Sequence, residues 1–164
     1  LSQPGGTAHD RLRKEAETRG VDPARVIFAP RVASKADHLS RLQLADLALD
    51  PFPYNSHSTG IDVLWAGVPM AALLGDTFPG RVGASLLHAA GLDELIAGST
   101  DEYYRLALAL ARTPDRLHAL RMKLVEQRSR CPLFDMPRFV RSLEEVYFRM
   151  WDSALSGAER TALV

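Results

Sequence analysis

Short apolar runs and helical patterns alternate through residues 26–97 of the chain. The runs have the length and the aliphatic composition of buried strands, and they are Val26–Phe28, Leu47–Leu49, Pro69–Leu74 and Glu94–Ala97. Strands that alternate with helices are typical of a parallel sheet with helices on its faces. The pattern therefore predicts an α/β fold with a Rossmann-like parallel sheet and flanking helices.

The remaining segments are predicted to be helices and loops. A loop at Gly75–Gly80 leads into a predicted helix at Arg81–Ala90, and everything after Ser99 has helical spacing. The last helix, from about Met136 to Ala154, carries apolar residues at i, i+4 and i+7 along a broad stripe. A stripe of that width is expected to dock on a neighbouring surface.

A polar turn, NSHSTG at Asn55–Gly60, follows the apolar run Leu47–Leu49 and leads into a predicted helix at Ile61–Ala66. In open parallel sheets, ligands bind beyond the carboxyl ends of the strands. The unpaired N–H groups of a helix's first turn favour an anion there, so a phosphate is the candidate ligand. The alternative is an ordinary capped helix, because Ser and Thr are also preferred N-cap residues.

A second candidate group is the cationic helix face formed by Lys35, His38 and Arg41, which are three residues apart behind Ser34. If this face meets the turn at one sheet edge, the two supply charge for phosphates and a ring for a base. Asp62 then adds a carboxylate for ribose hydroxyls, as a nucleoside diphosphate requires. The alternatives are a solvated face, a surface histidine and a first-turn acid favoured by the helix dipole.

Composition narrows the classes of partner. Twenty basic and twenty acidic residues cancel in the 164-residue chain, so the charge balance offers no general attraction to nucleic acid. Cys131 is the only cysteine, which excludes an internal disulfide, argues against a zinc site and fits a reducing cytoplasm. No apolar run has the length of a membrane span. Neither a metal, a nucleic acid nor a membrane is therefore expected as a partner.

The segment VASKADHLSRLQLADLALDPFPYNSHSTGIDVLWAGVPM closely resembles the C-terminal catalytic half of the O-GlcNAc transferase and SPINDLY family, inverting glycosyltransferases with the GT-B fold. The likeness continues through FPGRVGASLL, ELIA, CPLF and MWDSA, over roughly Val26–Ala154. It implies a bacterial-type homologue with a nucleotide-sugar-binding lobe at residues 1–135, whose first strand can lie upstream. It also implies a C-terminal helix at residues 136–156 that docks on a partner lobe, and a tail at residues 157–164.

The resemblance implies roles for five residues around the nucleoside of UDP-GlcNAc. Ala33 and Arg41 fall where the family contacts the uracil edge, and His38 falls where a histidine stacks on the base. Lys35 and Asp62 match positions that hold the ribose.

The same resemblance places the diphosphate at the polar turn, on His57, Ser58 and Thr59 beside Gly60. A departing UDP gathers negative charge in the transition state, and the start of a helix stabilises that charge without a metal or other cofactor. The family's catalytic lysine, its N-terminal lobe and its tetratricopeptide repeats are expected outside this chain, upstream of Leu1. The chain alone is therefore not expected to catalyse the reaction, and no catalytic residue is assigned within it.

The resemblance implies the donor-binding part of a protein O-GlcNAc transferase, which moves N-acetylglucosamine from UDP-GlcNAc to Ser or Thr hydroxyls of a protein or peptide with inversion. Three alternatives remain open. One is a protein O-fucosyltransferase of the SPINDLY type that uses GDP-fucose, and another is a non-catalytic domain that binds a nucleotide or a protein. The third is a nucleotide-sugar epimerase of similar two-lobed fold, which explains the NSHSTGIDVLWAG match poorly.

Overall fold

The computed structural model describes residues 7–156. The chain divides into two compact units, one that reaches His38 and one that starts at Leu39. Each unit has its own elements, and the boundary lies within the second helix of the chain. The tail predicted at residues 157–164 lies outside the described residues.

The first unit begins with helix α1, Thr7–Thr18, which is followed by a 3₁₀ turn at Pro23–Arg25. Gly20 ends the helix with φ at +76°, in the left-handed region that glycine adopts without strain. Helix α2, Lys35–Leu42, starts as its sequence predicts, because the N–H of Asp37 donates to Oγ of Ser34 at 3.0 Å.

The strand predicted at Val26–Phe28 is wrong, since this segment forms no strand in the described chain. Ile27 is 83% exposed. The ring of Phe28 stacks on His9, with centroids 3.7 Å apart, and lies 5.2 Å from the guanidinium carbon of Arg13. Phe28 therefore packs on α1, and a run of three apolar residues is too short to distinguish that packing from a strand.

The second unit contains a parallel sheet of three short strands in the order β1, β2, β3. Their bounds are β1 Ala48–Leu49, β2 Met70–Leu73 and β3 Ile96–Ala97. The register places Ala48 opposite Met70 and Ala72 opposite Ile96. Three of the four predicted strands are thus confirmed, although Asp93–Leu95 forms a 3₁₀ turn instead of the first part of the last strand.

Five further helices belong to the described part of this unit. They are α3 Ser58–Trp65, α4 Phe78–Ala89, α5 Thr100–Ala111, α6 Pro114–Gln127 and α7 Met136–Ser156. Helices α3, α4 and α5 contact β2, and α6 contacts α3 and α5. The α/β prediction of a parallel sheet with flanking helices and a long last helix is confirmed.

Two of these helices begin one turn earlier than predicted. α3 starts at Ser58 instead of Ile61, and α4 starts at Phe78 instead of Arg81. In α4, Oγ1 of Thr77 accepts from the N–H of Gly80 at 3.3 Å, so the threonine inside the predicted loop is the N-cap.

The core of the second unit is aliphatic. Its most enclosed side chains come from the strands, the helices and the connecting segments around β2, and they are Leu64, Val68, Met70, Leu87, Leu92, Leu95 and Leu110. Because α3 and α4 both contribute to this core, the start of α3 is held in a fixed place beyond the end of β1.

Helix α7 contains no buried residue. Large apolar side chains are exposed along its length, including Phe139, Tyr147, Phe148 and Trp151, the last at 65%.

Among residues 7–156, no helix has both the length and the apolar character needed to cross a membrane.

Candidate functional site

The start of α3 is not capped by the side chain of its own N-cap residue. His57 is the N-cap residue and makes no side-chain capping hydrogen bond. Ser58 and Thr59, which the alternative interpretation treats as capping residues, lie inside the first turn with exposed side chains. The N–H groups of this turn are therefore available to an anion at the positive end of the helix dipole.

The imidazole of His57 is held between two aromatic rings. It stacks on Tyr54 with centroids 5.2 Å apart and an interplanar angle of 9°, and it meets the edge of Phe78 at 6.1 Å. Its Nε2 is buried and has no hydrogen-bond partner within the described part of the chain. An unpaired ring nitrogen at an uncapped helix start can be satisfied by a ligand oxygen.

Packing against α4 requires a glycine at position 60, in addition to the predicted role of Gly60 in the ligand site. It is buried in the first turn of α3, and a Cβ there would lie 2.9 Å from Cδ1 of Leu86. The absence of a side chain thus lets α3 lie directly on α4, which fixes the direction in which the helix start points.

Sequence reasoning missed Asp50, the residue that follows β1. Asp50 is 1% exposed, and its Oδ1 accepts both from the N–H of Ser56, at 2.8 Å, and from the hydroxyl of Ser56. The available signal was an acid directly after an apolar strand, since such a position lies at the carboxyl edge of a parallel sheet. However, the dipeptide Asp50-Pro51 is equally typical of a simple turn.

Asn55 is the second buried polar residue of the turn, at 1% exposure. Its amide nitrogen donates to the carbonyl of Pro51 at 2.9 Å, and its Oδ1 accepts from the N–H of Gly83 at 3.2 Å. Its own N–H donates to the carbonyl of Pro79 at 3.0 Å. Asn55 therefore ties the turn to α4 and is a structural member of the polar run.

Burial controls the electrostatics behind the turn. It raises the pKa of the Asp50 carboxyl above its ordinary value, while the hydrogen bonds from Ser56 and the nearby His57 ring act in the opposite direction. Burial also raises the pKa of the Tyr103 hydroxyl, and the charge of Asp50 adds to that shift. The Tyr103 hydroxyl donates to the carbonyl oxygen of Asp50 at 2.9 Å.

The cationic face lies on α2 as predicted. Lys35 is exposed, whereas His38 and Arg41 are half-buried and follow it at intervals of three residues. Ala33 precedes the helix and is exposed. Ala33, Lys35 and His38 fall in the first compact unit and Arg41 in the second, and the expectation that this face shares a ligand with the polar turn stays a prediction.

The structure places the remaining predicted residues together on one helix. Ser58, Thr59 and Gly60 form the first turn of α3, and Asp62 follows on the same helix, half-buried. Within residues 7–156, no group of three or more His, Cys, Asp and Glu side chains is arranged to hold a metal ion. Cys131 is a buried free thiol.

Comparison with known proteins gives the same family that the sequence motifs resemble. Residues 4–143 match the model of glycosyl transferase family 41. A solved structure of a mutant O-GlcNAc transferase from Thermobaculum terrenum superposes with a TM-score of 0.84 at 35% identity, over 92% of this chain and 29% of that one.

Two named relatives align over nearly the whole chain. A probable UDP-N-acetylglucosamine–peptide N-acetylglucosaminyltransferase SEC of Arabidopsis thaliana is 44% identical over 91% of this chain and 15% of its own. The UDP-N-acetylglucosamine–peptide N-acetylglucosaminyltransferase of Caenorhabditis elegans is 37% identical over 90% of this chain and 13% of its own. The chain thus spans less than one sixth of the length of these relatives, and by its family match, its sequence identity and its fold it belongs to glycosyl transferase family 41.

Proposed function

We propose that this chain is the donor-binding lobe of a protein O-GlcNAc transferase. The complete enzyme transfers N-acetylglucosamine from UDP-GlcNAc to Ser or Thr hydroxyls with inversion. The observation that carries the proposal is the uncapped start of α3, where the unpaired Nε2 of His57 accompanies the N–H groups of Ser58, Thr59 and Gly60. The names of the Arabidopsis thaliana and Caenorhabditis elegans relatives support this donor and this type of acceptor.

In this proposal the first turn of α3 binds the diphosphate. Backbone N–H groups and a histidine nitrogen stabilise the negative charge that develops on UDP as the glycosidic bond breaks. A set of fixed donors does this without a metal, and none is included in the proposal. Ser58 and Thr59 add hydroxyl donors from exposed positions.

The nucleoside is assigned to the α2 face and to Asp62 of α3. Ala33 and Arg41 contact the uracil edge, and His38 stacks on the base. Lys35 and Asp62 hold the ribose hydroxyls. These assignments follow from the match of each residue to a position of the family motif. The positions of Lys35, His38 and Arg41 on one helix support them.

The catalytic lysine, the second lobe and the tetratricopeptide repeats are proposed to lie in flanking sequence or in another chain, and α7 is proposed to dock on that second lobe. Its exposed aromatic residues support this contact.

A cytoplasmic location is proposed as well, and the single free thiol of Cys131 agrees with a reducing compartment.

Calorimetric titration of UDP tests the proposal. The sample is the full natural polypeptide, meaning this chain with whatever flanks it. We expect UDP to bind and GDP to compete weakly, and transfer from UDP-GlcNAc to a Ser- or Thr-containing peptide to be detectable. Tight GDP binding with no UDP binding would favour GDP-fucose as the donor, and UDP binding without any transfer would favour a non-catalytic domain.

A further inference from the structure

Asp50 is enclosed directly after β1, with its side chain 1% exposed. The first-turn side chains of α3 at Ser58 and Thr59 are exposed. The hydrogen bonds of the Asp50 side chain go to Ser56, so its effect on the candidate diphosphate site is considered through that residue.

The neighbour in question is Ser56, which immediately precedes the N-cap residue His57. Two donors of Ser56, the N–H and the hydroxyl, converge on Oδ1 of Asp50. Two hydrogen bonds from Ser56 to one oxygen fix both the backbone and the side chain of Ser56. The orientation of Ser56 determines where the chain enters α3.

The backbone of Asp50 is fixed by two hydrogen bonds, whereas Oδ2 of its carboxyl has no hydrogen-bond partner within the described residues. The N–H of Asp50 donates to the carbonyl of Ala71 on β2 at 2.9 Å, and its carbonyl accepts from Tyr103 on α5. On the side of Oδ2, an added Cβ at Gly83 would overlap that oxygen, so α4 packs directly on the carboxylate. Asp50 thus connects the sheet and two helices to the turn.

We infer that Asp50 is a positioning residue for this site: it holds Ser56 so that His57 and the first-turn N–H groups of α3 point at the diphosphate. The inference rests on the proposed function, because it requires a diphosphate at the start of α3. It adds a residue that touches no ligand but determines the placement of those that do.

The test compares Asp50→Ala with Asp50→Asn in the full natural polypeptide. The asparagine keeps an oxygen acceptor for Ser56, whereas alanine leaves both donors unpaired. We expect Asp50→Ala to weaken UDP binding and to lower kcat for transfer by about tenfold or more, and Asp50→Asn to stay within about threefold of the wild type. Asp46→Asn is the control, because Asp46 is an exposed carboxylate just before β1. Equal losses in Asp50→Ala and Asp50→Asn would overturn the inference.

A double-mutant cycle separates positioning from general stability. If Asp50 acts through the turn, adding Asp50→Ala to His57→Ala costs much less UDP affinity than Asp50→Ala costs alone. Additive losses would mean that Asp50 acts elsewhere and would overturn the inference. If Asp50→Ala does not fold, Ser56→Ala takes its place in the cycle, since it removes only the hydroxyl donor.

A measurement without ligand distinguishes this inference from the proposed function. Amide hydrogen exchange is expected to accelerate in Asp50→Ala at Ser56, whose N–H donates to Asp50, and at Ile61, whose N–H donates to the carbonyl of His57 at 3.2 Å. Both amides are expected to keep the wild-type rate in Asp50→Asn. Unchanged exchange in Asp50→Ala would overturn the positioning role even if UDP binds. If UDP fails to bind the wild type, the proposed function fails, while the exchange result still decides whether Asp50 orders the turn.

Discussion

Ser56 donates two hydrogen bonds, one from its N–H and one from its hydroxyl, to the same buried oxygen of Asp50. The two residues are six positions apart in the chain, and the loop between them connects β1 to α3. The Asp50 carboxyl therefore closes this loop with two hydrogen bonds in a site shielded from water. The consequences can be measured in stability as well as in ligand binding.

Gly83→Ala is expected to destabilise the fold by about 2 kcal/mol or more. A Cβ at Gly83 would overlap Oδ2 of Asp50 and lie 3.1 Å from Cβ of Ala72, so α4 would have to move away from β2. Urea unfolding monitored by circular dichroism measures the change. The matched control is Gly98→Ala, where the nearest atom is the flexible Oε2 of Glu102 at 3.3 Å. Equal unfolding midpoints for the two variants would contradict the close packing of α4 on Asp50 and Ala72.

The pH dependence of stability should differ between the wild type and Asp50→Asn. Burial raises the pKa of the Asp50 carboxyl in the folded state. The stability that the protonated carboxyl contributes is therefore fully present below the pKa of this group in the unfolded chain. That contribution is lost as the pH rises through the folded pKa. The free energy of unfolding of Asp50→Asn relative to the wild type should therefore increase between acidic and neutral pH. A difference that is constant with pH would show that the carboxyl does not titrate with folding.

His57→Ala should weaken UDP binding by about tenfold, because it removes a donor from the charged diphosphate. The melting temperature should change little, since His57 is only half-buried. Calorimetry and thermal unfolding on the same samples separate the two effects. His88→Ala serves as the control, because His88 is exposed and pairs with Asp93 on the surface at 2.7 Å. Equal UDP affinity in both variants would argue against a diphosphate at this turn.

Lys35→Ala should also weaken UDP binding, with most of the unfolding free energy retained. Lys35 is exposed at the start of α2, where loss of a side chain usually changes stability by less than about 0.5 kcal/mol. The loss of affinity should shrink with rising salt, as expected for a cation near an anionic ligand. Lys14→Ala, on exposed α1, is the comparison. If both variants lose the same affinity, the effect is general charge and not a site on α2.

Phe148→Lys on α7 should disrupt association with the second lobe while leaving the sheet unit folded. Phe148 is 69% exposed beside Tyr147 and Trp151, so the substitution costs little within this chain. Transfer activity and limited proteolysis of the full natural polypeptide report the loss of docking. Arg149→Ala, at the neighbouring exposed position, should leave both unchanged. Wild-type activity in Phe148→Lys would show that this face is not the docking surface.

Sequence patterns predicted the second unit well because its strands are separated by long amphipathic helices. The apolar run at Leu47–Leu49 and the run at Pro69–Leu74 both contain strands. The failure at Val26–Phe28 has a simple cause: three apolar residues carry too little periodicity, and Phe28 packs on α1.

The amino-acid sequence by itself determined the α/β class, the family and the position of the polar turn after β1, since these depend on local periodicity and on a long motif. The tertiary structure decided which polar residues support the turn. Asp50 and Asn55 become buried partners of Ser56 and Gly83 only when β1 and α4 pack together. Likewise, whether the helix start at Ser58 is capped depends on where the His57 ring packs, and no spacing of residue types encodes that.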